Sequence, residues 1–110
     1  MEIEIREFLD AFGRNPFARW FDSLDAVAAA RVTIALTRLS QGNFSNVQGV
    51  GAGVYEMKMD FGPGYRVYFG KDGEQLVILL GGSAKKRQEA AIAAAKEAWT
   101  GYKRRRGGKE

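Results

Sequence analysis

The sequence predicts an α+β domain in which helices pack on a mainly antiparallel sheet. Residues 54–80 hold three strand-like segments, separated by the turn signals Gly62-Pro63-Gly64 and Lys71-Asp72-Gly73. Segments with apolar residues at helical spacing precede and follow these strands. The expected order is therefore β-α-α-β-β-β-α, with four strands in the sheet.

Length and composition indicate one folded domain. The chain has 110 residues, of which 45% are hydrophobic, enough for a real core. It contains no Cys and no His, which excludes Cys/His zinc sites, thiol nucleophiles, disulfides and histidine acid–base chemistry. No apolar run has membrane-spanning length and no signal-peptide pattern is visible, so we expect a cytoplasmic protein without a membrane partner.

The first strand and helix follow from alternation and capping. Residues 2–7 alternate charged and apolar side chains and predict a short strand near a sheet edge. Asn15 is suited to cap a helix and Pro16 to occupy its first position. The apolar face of that helix consists of residues at i, i+3, i+4 and i+7, namely Phe17, Trp20, Phe21 and Leu24.

A second helix begins at Ser23 or Asp25 and ends before Gly42. Arg31 and Arg38 lie off its apolar stripe, either as a solvated face or as phosphate contacts. The glycine- and asparagine-rich residues 41–53 lack phosphate-loop spacing and are predicted to form a loop. The stripe itself consists of Ala28, Val32, Ala35, Leu36 and Leu39.

The three central strands are predicted at residues 54–61, 65–69 and 76–80. Alternation in the first two places Lys58 beside Arg66 and Tyr68 on one face of the sheet. The third is continuously apolar, as in a strand covered on both faces. A run of cations follows it, formed by Lys85, Lys86 and Arg87.

The last helix is predicted at residues 86–102, which closes the domain at residues 1–102. Residues 103–110 are expected to form a basic, flexible tail. Residues 85–110 carry 9 basic and 3 acidic side chains, a net +6, against −2 for residues 1–84. This asymmetry indicates a polyanionic partner or an acidic protein groove, or only a solubilising helix face.

The cations around Arg66 suit a phosphodiester, since they could neutralise a charged transition state. RNA carries a 2′-hydroxyl that attacks the neighbouring phosphate when a base removes its proton. Without histidine, that base has to be Tyr68, Glu56 or a lysine of lowered pKa. A basic binding face without catalysis explains the same residues, and no paired carboxylates for metal or glycosidic chemistry are evident.

Several runs of the sequence resemble the addiction-module killer (HigB-like) group of the RelE/ParE toxin superfamily. They are GVYEMKMDFGPGYRVYF, LVILLGGSAKKRQ, AWTGYKRR, FARWFDSLDAVAAARV and LSQGNFSNVQGVGAGV. The resemblance as a whole extends over essentially all of residues 1–105. The resemblance implies a RelE-like fold and a small toxin of a type II module, encoded beside a helix-turn-helix antitoxin. Many members of the superfamily cut mRNA in the ribosomal A site without a metal.

Site residues follow from the resemblance by position. Arg66 matches the sheet arginine that contacts the scissile phosphate, Lys58 a basic position on the preceding strand, and Lys85 the basic loop after the last strand. Tyr68 is expected to be a base or a stacking residue. Ser83 and Ala84 depart from the family pattern at this loop. Expected RNA contacts are Lys86, Arg87, Arg31, Arg38, Lys103, Arg104 and Arg105.

The expected function is therefore a metal-independent and cofactor-free mRNA endonuclease toxin. It would act on mRNA at the ribosome, inhibit translation and be neutralised by its antitoxin. A ParE-like DNA gyrase inhibitor on the same fold is the alternative, and a non-catalytic nucleic-acid-binding module is the third interpretation.

Overall fold

Five strands and three α-helices make up residues 2–107, the part of the chain that the structure, a computed structural model, describes. The predicted α+β class is confirmed. A single 3₁₀ turn, Lys85–Arg87, precedes the last helix. The elements in chain order are β1 (Glu4–Glu7), α1 (Pro16–Asp22), α2 (Ala26–Ser40), β2 (Val47–Gly51), β3 (Val54–Met59), β4 (Tyr65–Lys71), β5 (Leu76–Ala84) and α3 (Gln88–Gly107).

The sheet is mixed and has one strand more than predicted. Its strand order is β1-β5-β4-β3-β2, in which β1 runs parallel to β5 and the other neighbours are antiparallel. The extra strand, β2, lies inside the predicted loop at residues 41–53, so that prediction and the order β-α-α-β-β-β-α are wrong. Two glycines and a bulge between Gly49 and Gly51 hide the alternation that normally marks a strand.

Helices cover both faces of the sheet. On one face, Phe17 of α1 and Val32 of α2 belong to a buried cluster with Val67 and Phe69 of β4. On the other face, Trp99 of α3 belongs to a second cluster that includes Val54, Tyr68, Ile78 and Leu80. The continuously apolar start of β5 is thereby explained, because this strand is buried on both sides.

Helix caps agree with the sequence. The Asn15 side chain accepts a hydrogen bond from the Ala18 amide (2.9 Å), which confirms the start of α1. Asp25, rather than Ser23, caps α2, because its carboxylate accepts from the Ala28 amide (2.8 Å). Gly42 follows α2 with a φ of 90°, as expected for a residue that ends a helix.

Helix α3 is longer than predicted. It continues past Tyr102 to Gly107, so the predicted end at residue 102 is wrong. The last turns are anchored on Asp72, which accepts a hydrogen bond from the Tyr102 hydroxyl (2.6 Å) and pairs with Arg106. Residues 108–110 of the predicted tail lie outside the described residues. No helix within residues 2–107 combines the length and apolarity needed to cross a membrane.

Each face of the sheet receives a tryptophan on a glycine. Trp20 of α1 lies over Gly82 of β5, and Trp99 of α3 lies over Gly70 of β4. A Cβ atom built on either glycine would overlap the indole ring. Because these two glycines have no side chain, the tryptophan rings can lie directly on the strands, and α1 and α3 pack close to the sheet.

We predict that Gly82→Ala lowers the free energy of unfolding by about 2 kcal/mol, because the new methyl group displaces Trp20. The matched control is Gly81→Ala on the opposite face, where a Cβ meets no atom within 4 Å. That control should change stability by less than about 0.5 kcal/mol. Urea unfolding followed by tryptophan fluorescence measures both. Equal effects of the two substitutions would contradict the packing account.

Candidate functional site

Strand pairing brings five polar side chains onto the face of the sheet that α3 covers. Lys58 of β3 lies opposite Arg66 of β4, and Glu56 lies opposite Tyr68. Ser83 of β5 lies opposite Arg66 on its other side. We call these five residues the polar layer. The predicted adjacency of Lys58, Arg66 and Tyr68 is confirmed by this register.

The end of β5 adds Lys85 to the same end of the sheet. Its amide donates to the Gly64 carbonyl (2.8 Å) in the β3–β4 turn. A Cβ atom built on Gly64 would lie 3.3 Å from Lys85 Cβ and 3.7 Å from Arg66 Nη1, so the two cationic side chains are neighbours. Lys58, Arg66 and Lys85 thus form one group, which we call the basic cluster.

The centre of the polar layer is a buried ion pair. Glu56 is fully buried and Arg66 is 4% exposed. Arg66 Nε lies 3.9 Å from Glu56 Oε1, which is too far for a hydrogen bond but close enough for strong attraction in a dry environment. The sequence predicts a face of the sheet whose cations could hold a phosphodiester around Arg66. In the structure Glu56 and Tyr68 are fully buried and Arg66 almost fully buried, so a phosphodiester cannot reach these three side chains as they stand.

Neighbouring groups satisfy this pair only in part. Gln48 donates to Glu56 Oε1 (3.3 Å), and Arg66 Nη1 donates to the Tyr65 carbonyl (3.1 Å). Glu56 Oε2 and Arg66 Nε have no hydrogen-bond partner within the described part of the chain. Each charge therefore depends on the other for compensation, and removing one leaves an uncompensated buried ion.

Tyr68 is fully buried, with its hydroxyl 3.1 Å from Ser83 Oγ. Burial raises the pKa of Tyr68 above its ordinary value of 10.0, the hydrogen bond with Ser83 opposes that shift, and the nearby Glu56 carboxylate adds to it. A neutral, buried phenol is poorly suited to remove a proton from a substrate. Ser83, where the sequence departs from the pattern of the family it resembles, is the hydrogen-bond partner of this phenol. Its position opposite Arg66 in the sheet could have indicated that it belongs to the site.

The cations that solvent reaches lie around the 3₁₀ turn. Lys85, Lys86 and Arg87 are exposed, and Lys58 is partly exposed. A polyanion approaching this end of the sheet meets these four side chains before it meets Arg66. The accessible positive charge therefore surrounds the buried ion pair of Arg66 and Glu56.

The C-terminal cations are far from the basic cluster. Arg104 is 16 residues beyond Gln88 on α3, which corresponds to about 24 Å along a helix. Lys103 Nζ lies 5.7 Å from the centre of the Trp99 ring, and Arg105 lies over Phe8 and donates to the Leu9 carbonyl. The Arg105 contacts hold the end of α3 to the β1–α1 connection, whereas the Lys103 contact lies within α3.

Arg31 and Arg38 lie on the outer side of α2, in the helical layer opposite α3. Together with Lys58 they line a cleft of about 450 Å³ between α2 and the end of β3. Within residues 2–107, no group of three or more acidic side chains is arranged to hold a metal ion.

The sequence matches the family model described as Phage derived protein Gp49-like (DUF891) over residues 19–103. An uncharacterised protein of Haemophilus influenzae is 38% identical over 81 residues, which cover 73% of this chain and 82% of that protein. No solved structure matches the chain. The match to the family model includes the polar layer, the basic cluster and the cleft beside α2.

We predict that Arg66→Met lowers the free energy of unfolding by about 3–5 kcal/mol, because Glu56 loses its compensating charge. The double variant Glu56→Met/Arg66→Met should be more stable than either single variant, since both buried charges are then absent. Urea unfolding of the four proteins completes the cycle. Lys58→Met, on the accessible side, is the control and should cost less than about 1 kcal/mol. Additive losses in the double variant would contradict the pairing.

We also predict that Tyr68 contributes to a loss of stability at alkaline pH. In the unfolded chain Tyr68 ionises at its ordinary pKa near 10.0, whereas in the folded chain it stays neutral to higher pH. The unfolded state is therefore favoured as pH rises above about 10. Unfolding in urea at pH 9 and at pH 11 should show a smaller pH-dependent loss for Tyr68→Phe than for the unsubstituted protein. Identical losses would mean that Tyr68 is not buried as described.

Proposed function

The chain belongs to the Gp49-like family of phage-derived proteins, a family of toxin–antitoxin toxins of the RelE/HigB type; from this we propose that it is a metal-independent endonuclease toxin. It cuts mRNA, in association with the ribosome, and thereby inhibits translation. A helix-turn-helix antitoxin neutralises it. Within the superfamily, the proposed activity corresponds to the HigB-like group.

The observation that carries the proposal is the basic cluster at one end of the sheet. Lys58 and Lys85 flank Arg66 on the two neighbouring elements, so positive charge comes from three separate segments. A phosphodiester bound there contacts Lys58 and Lys85 directly. Arg66 lies behind them in the buried pair with Glu56, whose carboxylate offsets its charge, so the net positive charge that the phosphate meets comes from the two lysines.

This arrangement supports a cleavage reaction in which the 2′-hydroxyl of the RNA substrate is the nucleophile. The 2′-oxygen attacks the adjacent phosphorus, the bond from phosphorus to the 5′-oxygen breaks, and a 2′,3′-cyclic phosphate and a 5′-hydroxyl result. One proton leaves the 2′-hydroxyl and one is gained by the departing 5′-oxygen. The phosphorane between these states carries extra negative charge, which fixed cations stabilise more than they stabilise the substrate.

Burial narrows the choice of proton acceptor. Of the three candidates that the sequence offers, Tyr68 and Glu56 are fully buried. A lysine of the basic cluster is the candidate that a 2′-hydroxyl can reach. We assign this role to Lys58, which is partly exposed and lies opposite Arg66.

Other cations extend the surface over which RNA binds. Lys86 and Arg87 are exposed next to Lys85 and contact phosphates on either side of the cleaved one. Lys103, Arg104 and Arg105 form a separate positive region at the far end of α3 and contact more distant nucleotides. Such contacts make binding depend on salt without selecting a sequence.

A DNA gyrase inhibitor on the same fold is the second candidate. The burial of Arg66 and Tyr68 favours it, because an inhibitor requires a binding surface but no accessible catalytic group. The two functions differ in their products, since only a nuclease creates new RNA ends.

The test is to induce the chain in a bacterial host and to map RNA 5′ ends across the transcriptome. We expect new ends with 5′-hydroxyl groups inside translated frames. Lys58→Ala and Lys85→Ala should each lower the cleavage rate of the purified protein about 10²-fold, because the first removes the proton acceptor and the second removes a cation from the phosphorane. Lys96→Ala on α3, outside the basic cluster, is the control and should cleave normally.

Arg66→Ala is not used for this test, because its expected loss of stability would mimic a loss of activity. Growth arrest without new RNA ends, accompanied by a DNA damage response, would instead support gyrase inhibition. Full activity of Lys58→Ala would remove that residue from the proposed reaction.

A further inference from the structure

Helix α2 exposes apolar side chains on the side that faces away from the core. Val27 is 68% exposed and Ile34 is 51% exposed. They are seven residues apart, and Arg31 and Arg38 fall beside them at positions i+4 and i+11. At 3.6 residues per turn these four side chains form one stripe along the helix, which we call the α2 stripe.

A cleft runs beside the α2 stripe. Its walls include Arg31, Ile34 and Arg38 from the helix, and its volume is about 450 Å³. The Arg31 guanidinium carbon lies 4.9 Å from the centre of the Phe61 ring, so this cation is already positioned by an aromatic contact. The opposite wall consists of Asn46, Lys58, Met59, Asp60 and Phe61.

Charge and apolarity together identify the kind of ligand. Residues 26–40 contain two arginines and no acidic residue, and Asp60 is the one acidic side chain among those lining the cleft. A nucleic acid could pair with Arg31 and Arg38 but would leave Val27 and Ile34 in water. A protein segment with carboxylates beside an apolar face buries both kinds of side chain.

We propose that the α2 stripe and its cleft bind an acidic amphipathic helix of a protein partner. Apolar residues of that helix cover Val27 and Ile34, and its carboxylates pair with Arg31 and Arg38. Identifying the partner as the antitoxin rests on the function proposed above. Lys58 borders this cleft and also belongs to the basic cluster, so the proposed helix site and the proposed RNA site adjoin at β3.

The test uses purified chain and a displayed library of random 16-residue peptides, and it requires no toxicity. We expect the selected peptides to carry acidic residues spaced with apolar ones at helical intervals. Ile34→Asp and Arg31→Glu should each weaken their binding by at least about tenfold, as measured by fluorescence anisotropy. A new selection on Arg31→Glu/Arg38→Glu should instead enrich basic peptides, because the charge of the stripe is reversed.

Thr33→Glu is the matched control, because Thr33 is exposed on α2 but points away from the stripe. It should leave peptide binding unchanged. Peptides that bind all variants equally, or a selection that enriches no acidic sequences, would overturn the proposal. So would loss of binding to a 20-nucleotide RNA in Arg31→Glu together with no effect on peptides. Failure to detect RNA cleavage would count against the nuclease but leave this result standing.

Discussion

The attraction between Glu56 and Arg66 governs how the central strands of this protein fit together. Both ions are removed from water, so each is tolerable only while the other is near. A shift of one residue between β3 and β4 would send one of them to the opposite, apolar face. Gln48 of β2 is hydrogen-bonded to Glu56 of β3, and Tyr68 of β4 is hydrogen-bonded to Ser83 of β5. These polar contacts therefore span four strands. The polar layer therefore fixes the register of β3 against β4. That register brings Lys58 and Arg66 of the basic cluster together.

Much of the fold could be predicted because its signals are local. Caps such as Asn15 and Asp25, and the turn glycines, act through the backbone of a few neighbouring residues, and the structure confirms them. Strand β2 could not be predicted, because its glycines leave no alternating pattern and it depends on pairing with β3. The length of α3 was missed because Asp72, distant in sequence, anchors its last turns. Both errors come from tertiary contacts, which override local preference.

The sequence predicted which residues lie together at the candidate site, but not how deeply each of them is buried. Period-two alternation correctly placed Lys58 and Arg66 on one face, because register alone decides that. Alternation does not say what covers a face, and here Arg66 is buried beside Glu56 rather than open to solvent. Lys58 belongs to the basic cluster and also borders the cleft beside α2, so the two surfaces adjoin at one residue of β3.

The parallel pairing of β1 with β5 has a consequence for synthesis of the chain. Glu4 and Leu76 are register partners, although 71 residues lie between them. As the nascent chain emerges, its first strand has no partner until β5 has also been made. Closure of so long a loop comes late in folding, because its entropy must be overcome before the contact is gained. The sheet therefore cannot be complete until β5 has left the ribosome, and neither can the basic cluster, which needs Lys85 directly after β5.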